Sequence, residues 1–593
     1  MDNDKNIILK TSEIWEIGPI EIDDDDPFKD WMSIEIFNEW CTGAGTPTDP
    51  YIIENVSING QGSSNCIHIL NSNVFFIIRN CIFYDTSWYN PGSPGYPAIQ
   101  FYNVKNGIII NNNCSFSHDH GIELNKGSNI IIANNTISNN RRGGIELEYQ
   151  SNCLITGNVI YDNGHDGIAL RGDCNNNTVW GNFIYECGYS GILIQGGSND
   201  NTIKENKIFS WWRGIFPPKL GVGISIYLNS RYNIIQNNEI SYCCENGMRI
   251  EGSPYNIIKE NIIVNTGDGI SGGDGIRFDC WVNENNTNNI VTQNVIGKNE
   301  QHGILVESYS NDSFFYINEF VDNRVNAEDD GTNNQWDNGT IGNFWDDYTG
   351  VDLNFDNIGD LPYNLSGLSG SQDNFPIYND IFPPAIVVNR PFREQLFGFN
   401  APRFDLTIID HSLNYTWYTL DNGITNISFT GSIDMINQVE WDKQSSGRVI
   451  IRFYANDSLG NLGVKDVLIW KDITKPIITI HTPVPDQVCG IAAPNFSLTI
   501  DEPNLQSKIY SFNNGDNITF TTETTFNQAE WDKVGDGMVI ITFYAIDTVN
   551  NIGKASVSII KRSPQKISGY NIFLSIGFIS LIIIIKYRYK QNQ

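Results

Sequence analysis

Apolar and polar positions alternate in a short pattern that returns along the first half of the chain. The pattern is a small residue and an apolar one, followed by polar, apolar and polar residues, as in Gly121-Ile122-Glu123-Leu124-Asn125. Its first position falls at residues 98, 121, 144, 167, 191, 223, 247, 275 and 303. A period of two indicates β-strands with one buried face. The pattern therefore predicts short strands at nearly regular intervals.

A second motif, Asn-x-Ile, recurs at the same intervals. It occurs at Asn135, Asn158, Asn182, Asn206, Asn238, Asn261 and Asn294. Clusters of Asn, Gly and Ser between the two motifs supply the turn conformations that sharp corners need. A repeat of this length cannot bury its own apolar stripe, so successive turns must stack and share one core. The sequence predicts an all-β protein built on a parallel β-solenoid that begins near Tyr51, with at least two strands in each turn.

After Pro383-Pro384 the chain contains two segments that repeat one another. Trp441-Asp442-Lys443 corresponds to Trp531-Asp532-Lys533, and Phe453-Tyr454-Ala455 corresponds to Phe543-Tyr544-Ala545. Short alternating strands with Asn-Gly turns favour β-sandwiches, so we expect two Ig-like modules that act as a stalk. The predicted domains are a cap at residues 1–50, a β-helix with its closing segment at 51–383, Ig-like modules at 384–472 and 473–563, a transmembrane helix at 567–585 and a basic tail at 586–593.

The segment 567–585 carries no charge and is long enough to cross a bilayer as a helix. The basic tail follows it directly, and the positive-inside rule places that tail in the cytoplasm and the rest of the chain outside. No secretory signal is visible in residues 1–10. Either the start is truncated or misassigned, or the protein is tail-anchored with its bulk inside. The first alternative is favoured because a tail anchor would send the basic tail outward.

Charge and cysteine usage exclude several classes of partner. The chain of 593 residues has a formal net charge of -31, which argues against nucleic acid and anionic lipid and suits a solvated surface protein or one that collects cations. Eleven cysteines without Cys-x-x-Cys spacing argue against a structural zinc site. Most of them, such as Cys81 and Cys114, are expected in buried solenoid positions. No nucleotide or redox cofactor is expected.

Stacked turns place equivalent residues in columns. The residue two positions after each repeat Gly should face outward: Glu123, Glu146, Ala169, Leu193, Ser225, Arg249, Arg277 and Leu305. Two positions further, Glu251, Asp279 and Glu307 are expected one above another, which is unfavourable for like charges unless they are compensated. Arg249 and Arg277 are near enough to compensate them, or a cation could do so.

Three turns are lengthened along one edge of the predicted rod, at residues 87–97, 210–221 and 266–273. The second of these contains two tryptophans. Aromatic faces beside a strip of Arg, Tyr and carboxylates would suit a polysaccharide through ring stacking and hydrogen bonds. Alternatively, the loops fold down and cover the edge of the core. The candidate ligand-binding residues are Trp211, Trp212, Tyr227, Arg249, Glu251, Arg277 and Asp279.

Two His-Asp pairs, His118-Asp119 and His165-Asp166, could supply a base and its orienting acid for lyase or epimerase chemistry. They resemble the His-Asp element of uronan epimerases, although Phe116-Ser117 replaces the Asp-Pro that precedes it there. Histidines at turn corners are the simpler interpretation, because adjacent residues of a strand face opposite sides. The candidate catalytic residues are Arg249, Arg277, Glu251, Asp279, His165 and Asp166.

The strongest metal candidate is the acidic segment 352–360, where oxygen-bearing side chains at alternate positions match what Ca²⁺ requires. Asn357 stands where an EF-hand has Gly, and Tyr363 replaces its bidentate Glu. The segment is therefore expected either to hold a structural Ca²⁺ or to form a metal-free acidic turn. Its predicted ligands are Asp352, Asn354, Asp356, Asp360 and the carbonyl of Ile358.

At these repeats the chain resembles right-handed parallel β-helix proteins of the NosD-like, carbohydrate-binding and sugar-hydrolase group. The resemblance covers residues 41–380 and includes Gly342-Asn343-Phe344-Trp345-Asp346-Asp347-Tyr348, which looks like the segment that closes such solenoids. With its Ig-like repeats the chain also resembles cell-surface proteins of archaea, particularly of the Asgard lineages. The resemblance implies the fold, but β-helices include lyases, hydrolases, epimerases, adhesins and non-enzymes. It would also suggest copper, which five Met and seven His without a cluster do not support.

We expect a membrane-anchored extracellular β-helix protein that binds a polysaccharide or a cell-surface glycoprotein. An anchored polysaccharide lyase, glycoside hydrolase or epimerase acting on acidic sugars is the first alternative. A structural envelope or adhesion element is the second. Binding is favoured over catalysis because no known catalytic signature is complete, and the paired-Asp, Gly-His-Gly and Arg-Ile-Lys motifs of polygalacturonases are missing as well.

Overall fold

The computed structural model describes residues 14–62, 64–86, 95–210, 221–268, 272–280, 286–522, 524–564 and 586–587. The chain divides into two compact units. The first contains residues 1–387, 407–416 and 454–464, and the second contains residues 388–406, 417–453 and 465–593.

Three long sheets run through the first unit, and each turn of the chain contributes one strand to each sheet. Sheet 1 contains Ile20–Asp23, Ile67–Leu70, Ile99–Lys105, Ile122–Ser128, Ile145–Ser151, Ile168–Arg171, Ser190–Gln195, Val222–Tyr227, Asn246–Glu251, Asp274–Asp279, His302–Val306 and Val325–Asp329. Sheet 2 contains Cys41–Thr42, Tyr51–Glu54, Phe76–Arg79, Gly107–Ile110, Ile131–Ala133, Leu154–Thr156, Thr178–Trp180, Thr202–Lys204, Ile234–Gln236, Ile257–Lys259, Ile290–Thr292 and Phe314–Tyr316. Sheet 3 contains Trp15–Ile17, Val56–Asn59, Ile82–Tyr84, Asn113–Ser115, Thr136–Ser138, Val159–Tyr161, Phe183–Tyr185, Lys207–Phe209, Glu239–Ser241, Ile262–Val264, Val295–Gly297, Glu319–Val321 and Phe344–Trp345.

Except for Cys41–Thr42, which pairs antiparallel with Tyr51–Glu54, the strands of consecutive turns pair in parallel, as predicted. The period of two determines which of their side chains are buried. In sheet 1, Ile122 pairs with Ile145 and Leu124 with Leu147, and all four side chains are fully buried. Sheet 2 adds a third strand to each turn, where the sequence established only two. Its strands have three or four residues in most turns, which is too short for a periodic pattern to be recognised.

The sequence predicted that the solenoid begins near Tyr51. The parallel sheets begin upstream of that residue. Strand Trp15–Ile17 pairs with Val56–Asn59, and Ile20–Asp23 pairs with Ile67–Leu70. The repeat spacing misses this turn because a long excursion that contains the helix Trp31–Phe37 separates its strands.

That helix closes the first end of the β-helix. Asp30 caps it by accepting a hydrogen bond from the Ser33 backbone N–H at 2.8 Å. Trp31 is buried and packs against the rings of Tyr51 and Phe76, with centroids 5.3 and 4.9 Å away. The apolar core of the first turn is thereby covered.

The repeated asparagines form a buried ladder inside the β-helix. The Asn158 Oδ1 accepts from the backbone N–H and from the side-chain amide of Asn135, at 2.9 and 3.0 Å. Its Nδ2 donates to the Ile132 carbonyl and to the Asn182 Oδ1, both at 2.9 Å. The same pattern joins Asn112, Asn135, Asn158, Asn182, Asn206, Asn238, Asn261, Asn294, Asn318 and Asn343, none more than 2 % exposed.

The residue before nearly every ladder asparagine makes the predicted corner. Asn134, Gly157 and Gly181 have φ values of 53°, 64° and 63°, in the left-handed region that Gly and Asn tolerate. Sequence clusters of Asn and Gly therefore serve two purposes, a corner at one position and a buried ladder at the next.

Stacked aromatic rings close the other end of the β-helix. Trp345 packs between Phe320 and Tyr363, with ring centroids 4.4 and 4.2 Å away. Its indole N–H donates to the Asp373 carboxylate at 2.9 Å. Short strand pairs belong to this part of the unit: Asn286–Thr287 with Ser310–Asn311, and Tyr363–Asn364 with Gln372–Asp373.

Most strand pairs within the two C-terminal repeats are antiparallel. The first contains Ala385–Arg390, Leu396–Phe397, Arg403–Ile409, Leu413–Thr419, Ile427–Ser428, Ile433–Met435, the helix Gln438–Asp442, Gly447–Asp457 and Leu462–Lys471. The second contains Ile477–Thr482, Val488–Cys489, Ser497–Asp501, Leu505–Phe512, Ile518–Thr519, the helix Gln528–Lys533, Gly537–Asp547 and Ile552–Lys561. Within the described residues, no helix combines the length and the apolar character that crossing a bilayer requires. The predicted span 567–585 lies outside them.

Candidate functional site

The outward face of sheet 1 carries the predicted columns. Glu123 pairs with Glu146 in the parallel register, and Arg249 pairs with Arg277. The predicted column is Glu123, Glu146, Ala169, Leu193, Ser225, Arg249, Arg277 and Leu305, of which Ala169, Leu193, Ser225 and Leu305 are buried rather than exposed. Its charged members therefore gather in two groups, one near each end of the column.

The first group, which we call the arginine cluster, consists of Arg249, Glu251, Arg277, Asp279 and Glu307. The Arg249 Nη2 lies 2.8 Å from the Asp279 Oδ2 and 2.9 Å from the Glu251 Oε2. The Arg277 Nε lies 3.5 Å from the same Asp279 oxygen, and its Nη2 bonds to Glu307. The stacked carboxylates are thus compensated by the two arginines, the first of the two possibilities that the sequence left open.

The arginine cluster continues toward an aromatic ring and a histidine. The Arg249 guanidinium lies 5.5 Å from the ring centroid of Tyr227. Asp274, which the Arg277 Nη1 contacts at 3.2 Å, also bonds to the His302 Nδ1 at 2.8 Å. This hydrogen bond to Asp274 is the main cause that raises the pKa of His302. The candidate ligand-binding residues Tyr227, Arg249, Glu251, Arg277 and Asp279 therefore lie together, as predicted.

The second group, which we call the histidine cluster, consists of Asp119, His120, Glu123, Glu146 and Arg171. The His120 Nε2 lies 3.3 Å from the Asp119 Oδ1 and 3.3 Å from the Glu146 Oε2. The Arg171 Nε reaches the same Glu146 oxygen at 3.3 Å. His120 is 6 % exposed, and this buried imidazole between two carboxylates is absent from the sequence-based candidates.

A column immediately before the repeat Gly contains the signal for His120. His120, Gly143, Asp166 and Ser190 occupy equivalent places in four turns. Gly143 leaves room for the imidazole, because a Cβ at that position would lie 2.8 Å from the His120 Nδ1. The candidate residues come from the columns after the repeat Gly, so His120 is not among them.

Burial sets the protonation of the histidine cluster. The His120 Nδ1 accepts a hydrogen bond from the Gly143 backbone N–H at 3.1 Å, so the proton of the neutral ring is on Nε2. Burial lowers the pKa of His120 to about 4. Burial also raises the pKa of Glu123 to about 7, against a hydrogen bond from Gln100 that lowers it. A neutral imidazole and a readily protonated carboxyl thus lie side by side.

This arrangement suits proton transfer better than metal binding. One ligand atom each from Asp119, His120 and Glu123 lies within 4.8 Å of the others, close enough to hold an ion. A metal on the His120 Nε2 would require the ring proton on Nδ1, where it would meet the Gly143 N–H. Nε2 instead lies 3.3 Å from one oxygen each of the Asp119 and Glu146 carboxylates.

The members of the predicted His-Asp pairs also make contacts outside the pair, and their catalytic role stays a prediction. His165 packs edge-on against Tyr189, with ring centroids 4.8 Å apart. Asp166 accepts from the Arg171 Nη2 at 2.8 Å and from the Ser190 backbone N–H at 3.0 Å. Asp119 pairs with His120 rather than with His118.

Exposed tyrosines flank sheet 1 beside the histidine cluster. Tyr102 and Tyr149 are 40 and 47 % exposed, and the Lys126 Nζ donates to the Tyr102 hydroxyl at 2.8 Å. The predicted aromatic residues Trp211 and Trp212 lie outside the described residues. Their loop therefore stays a prediction, and the tyrosines are the aromatic faces that the structure places at this surface.

The acidic segment 352–360 forms a closed turn. The Asp352 Oδ1 accepts from the Phe355 backbone N–H at 2.8 Å, and its Oδ2 accepts from the Asn357 backbone N–H at 2.9 Å. The Asp360 Oδ2 accepts from the Leu353 backbone N–H at 2.6 Å. These carboxylates bond to backbone amides of their own turn, an arrangement that favours the metal-free acidic turn. The Ca²⁺ ligation of Asp352, Asn354, Asp356, Ile358 and Asp360 stays a prediction.

Two family models match the first unit. One is described as a right handed beta helix region and matches residues 40–208, and the other is described as periplasmic copper-binding protein (NosD) and matches residues 218–350. No curated protein matches the chain. The resemblance to archaeal surface proteins stays a prediction.

Solved structures of low sequence identity are similar to parts of the chain. The A-module of the mannuronan C-5 epimerase AlgE6 of Azotobacter vinelandii is 15 % identical, with 55 % of this chain and 89 % of that chain covered and a TM-score of 0.41. The alginate lyase of Paenibacillus sp. str. FPU-7 is 12 % identical, with coverages of 55 and 97 % and a TM-score of 0.29. The fibronectin(III)-like modules of Clostridium thermocellum CbhA are 14 % identical, with coverages of 30 and 95 % and a TM-score of 0.20.

The residues matched by the NosD model do not fit a copper centre. In the described part of 218–350, His302 has each ring nitrogen within reach of a carboxylate, of Asp274 at 2.8 Å and of Glu328 at 3.4 Å. Cys243 and Met248 are buried in the core, and no group of three potential ligands comes together in that described part. Copper prefers imidazole and sulfur ligands that converge.

The fold itself is established by agreement between the family models and the three parallel sheets. The described residues between 40 and 350 form a right-handed parallel β-helix.

Proposed function

We propose that the outward face of sheet 1 binds a polysaccharide. The arginine cluster carries this proposal: it presents two guanidinium groups, three carboxylates and the nearby ring of Tyr227 on one face. Arg249 and Arg277 have side chains 30 and 29 % exposed, so each retains access to solvent while its carboxylate partners hold it in place. Fixed donors and acceptors reduce the entropy cost of binding a chain of hydroxyl and carboxylate groups.

The tyrosine edge supports the same ligand class. Sugar rings pack on exposed aromatic faces, and Tyr102 and Tyr149 present such faces beside the columns of sheet 1. The β-helix repeats its polar groups from turn to turn, which matches a polymer with a repeating unit better than a small ligand. A cell-surface glycoprotein presents the same sugars and is an alternative partner of the same face.

The location of the protein at a membrane is part of this proposal. The uncharged segment 567–585 and the basic tail after it support a membrane anchor with the β-helix outside the cell. The two C-terminal repeats would then act as Ig-like modules of a stalk. Their matching tryptophans support this, because Trp441 and Trp531 are fully buried and Lys471 and Lys561 donate to their carbonyls, both at 2.6 Å.

Binding to a panel of neutral and uronate polysaccharides tests the proposal. Arg277→Ala and Tyr149→Ala should each weaken binding of the selected polymer by about tenfold, since they remove a charged and a stacking contact. Arg452→Ala is the matched control, because Arg452 pairs with Asp466 in the C-terminal region and the change in net charge is the same. Equal binding by all four proteins, or no binding to any polymer, would contradict the proposal.

A second candidate function, acid–base catalysis on a sugar polymer, rests on the histidine cluster. A carboxyl group with a pKa of about 7 can donate or accept a proton near neutral pH. We expect Glu123→Gln to abolish release of new chain ends from a bound polymer, or epimerisation of its sugars, while binding is unchanged. A wild-type protein that binds the polymer without changing it would leave binding alone as the function.

A further inference from the structure

Two clusters of acidic side chains occupy equivalent places in the C-terminal repeats. The first acidic cluster consists of Asp380, Asp410 and Asp457, and the second consists of Asp472, Glu502 and Asp547. In each cluster one carboxylate oxygen from every member lies within 4.8 Å of the others. The first member of each cluster, Asp380 or Asp472, lies in the segment before its repeat. The second member follows it by 30 residues in both clusters. The arrangement is therefore a repeated feature of the fold.

The same turn builds both clusters. The Asp457 Oδ1 accepts from the Asn461 backbone N–H at 2.7 Å and its Oδ2 from the Asn461 Nδ2 at 2.7 Å. In the second cluster, Asp547 accepts the equivalent bonds from Asn551, at 2.8 and 2.8 Å. The asparagine amide also donates to the carbonyl of the first cluster member, Asp380 at 3.2 Å and Asp472 at 3.0 Å. Each turn thus holds the chain segment that precedes its own repeat.

Two oxygens of the first acidic cluster are buried without a partner. The Asp380 Oδ1 accepts from the Phe382 backbone N–H at 3.0 Å, whereas its Oδ2 has no hydrogen bond, and the residue is only 4 % exposed. The Asp410 Oδ1 accepts from the Ser412 backbone N–H at 2.8 Å, and its Oδ2 is also without a partner. Among the described residues, no member of this cluster forms a salt bridge. Buried carboxylates without a counter-charge are strongly unfavourable.

A fourth carboxylate lies near this cluster. Glu319 is fully buried in sheet 3, and neither of its carboxylate oxygens has a hydrogen-bond partner. Its burial, and then the charges of Asp380, Asp410 and Asp457, raise its pKa well above the ordinary value. Four carboxyl groups thus lie together, and three of them have a buried oxygen without a hydrogen-bond partner.

We propose that each acidic cluster binds a Ca²⁺ ion. All potential ligand atoms of the clusters are oxygens, the ligand type that Ca²⁺ selects over softer metals. They come from a segment before the repeat and from two strand ends, and Ca²⁺ accepts such irregular geometry more readily than Mg²⁺ does. A bound ion would tie these three places together within each repeat. This inference is independent of the proposed polysaccharide site, which lies on sheet 1.

Titration of the metal-free full chain with CaCl₂, followed by calorimetry, tests the stoichiometry. We expect one Ca²⁺ for each acidic cluster, and we expect Asp410→Asn and Asp547→Asn each to remove one equivalent. Asp466→Asn is the control, because Asp466 is an exposed carboxylate paired with Arg452 and is not part of either cluster. Unchanged stoichiometry in both cluster variants would overturn the proposal. So would loss of Ca²⁺ only in Asp352→Asn, which alters the acidic segment instead.

Thermal unfolding of the same variants gives a readout that does not depend on calorimetry. In EDTA, Asp410→Asn should unfold at a higher temperature than wild type, because it relieves repulsion among buried carboxylates. In excess Ca²⁺ the order should reverse, since wild type gains about 2 °C or more from the bound ion and the variant loses that gain at the first cluster. The asparagine keeps the oxygen that accepts from Ser412, so the variant retains its turn. An identical Ca²⁺-induced shift in wild type, Asp410→Asn and Asp547→Asn would overturn the proposal.

Discussion

Burial lowers the pKa of His120 and raises the pKa of Glu123. The free energy of unfolding of the β-helix therefore depends on pH through both groups. The native pKa of His120 is about 4 against an ordinary 6.5, so between these pH values the unfolded chain holds a proton that the native protein lacks. The free energy of unfolding therefore falls as pH falls through this window. The native pKa of Glu123 is about 7 against 4.5, so its contribution falls as pH rises from 4.5 to 7. The two trends oppose each other where they overlap.

Glu123→Gln should separate these trends. The variant keeps the acceptor for Gln100 and removes the carboxylate, so its free energy of unfolding relative to wild type should rise between pH 4.5 and 7.5, by up to about 3 kcal/mol. Denaturant unfolding across this pH range measures the difference. His120→Gln is the converse control, because its stability relative to wild type should rise as pH falls from 6.5 to 4. Parallel pH profiles for the three proteins would show that neither group is perturbed.

Gly143→Ala tests whether a small residue makes room for the imidazole. The added Cβ would lie 2.8 Å from the His120 Nδ1 and 2.9 Å from the Asp166 carbonyl oxygen. We expect a loss of about 1–3 kcal/mol in the free energy of unfolding, the usual cost of overpacking. At Gly18, no heavy atom lies within 4 Å of the added Cβ, so Gly18→Ala is the control. Equal stability of both variants would contradict the packing that we describe.

The histidine cluster shows which parts of the candidate site residue patterns can predict. The columns could be predicted because strand alternation fixes which side chains share a face. Arg249 and Arg277 contact Asp279, as expected. His120 could not be selected in the same way, since it precedes the strand and its orientation depends on the corner. Its significance depends on burial, which a lone histidine in the sequence does not reveal.

At the scale of elements, the asparagine ladder links the consecutive turns from Asn112 to Asn343. Asn182, for example, accepts from the Asn158 backbone N–H of the preceding turn and donates to the carbonyl of Ile155 in the sheet 2 strand of that turn. The interval of the Asn-x-Ile motif was visible in the sequence and established the turns. Its physical role was not, because the same residue type also makes exposed corners. The helix Trp31–Phe37 and the short strands of sheet 2 escaped prediction because they contain too few residues for a periodic signal.

Asn182→Ala should break one step of this ladder. It leaves the Asn158 backbone N–H and side-chain amide without the Oδ1 that accepts them at 3.0 and 2.9 Å. Unsatisfied buried donors cost about 1–3 kcal/mol each, so we expect a loss of about 2–5 kcal/mol in the free energy of unfolding, measured by denaturant titration. Asn113→Ala, at an exposed strand position, is the matched control and should change stability by less than about 0.5 kcal/mol. A similar small effect at Asn182 would show that the ladder does not stabilise the β-helix.

At the scale of the whole molecule, the repeat determines where function can reside. Parallel stacking aligns charged residues from distant turns on the outward face of sheet 1, which concentrates the arginine and histidine clusters along one surface. The C-terminal repeats contribute acidic clusters of a different kind, with oxygens held by turns and strand ends. The sequence therefore predicted the β-helix and its columns, whereas the cation sites required three segments that only the fold brings together.

Hydrogen–deuterium exchange with and without a bound polysaccharide tests the central proposal most directly, because it locates the ligand on one of three sheets. We predict slower exchange in the strands Ile145–Ser151, Val222–Tyr227, Asn246–Glu251 and Asp274–Asp279 of sheet 1. The strands of sheet 2 in the same turns, such as Ile234–Gln236 and Ile257–Lys259, should exchange at the rate seen without ligand. Protection confined to sheet 2, or to the C-terminal repeats, would contradict the assignment of the outward face of sheet 1 as the binding surface.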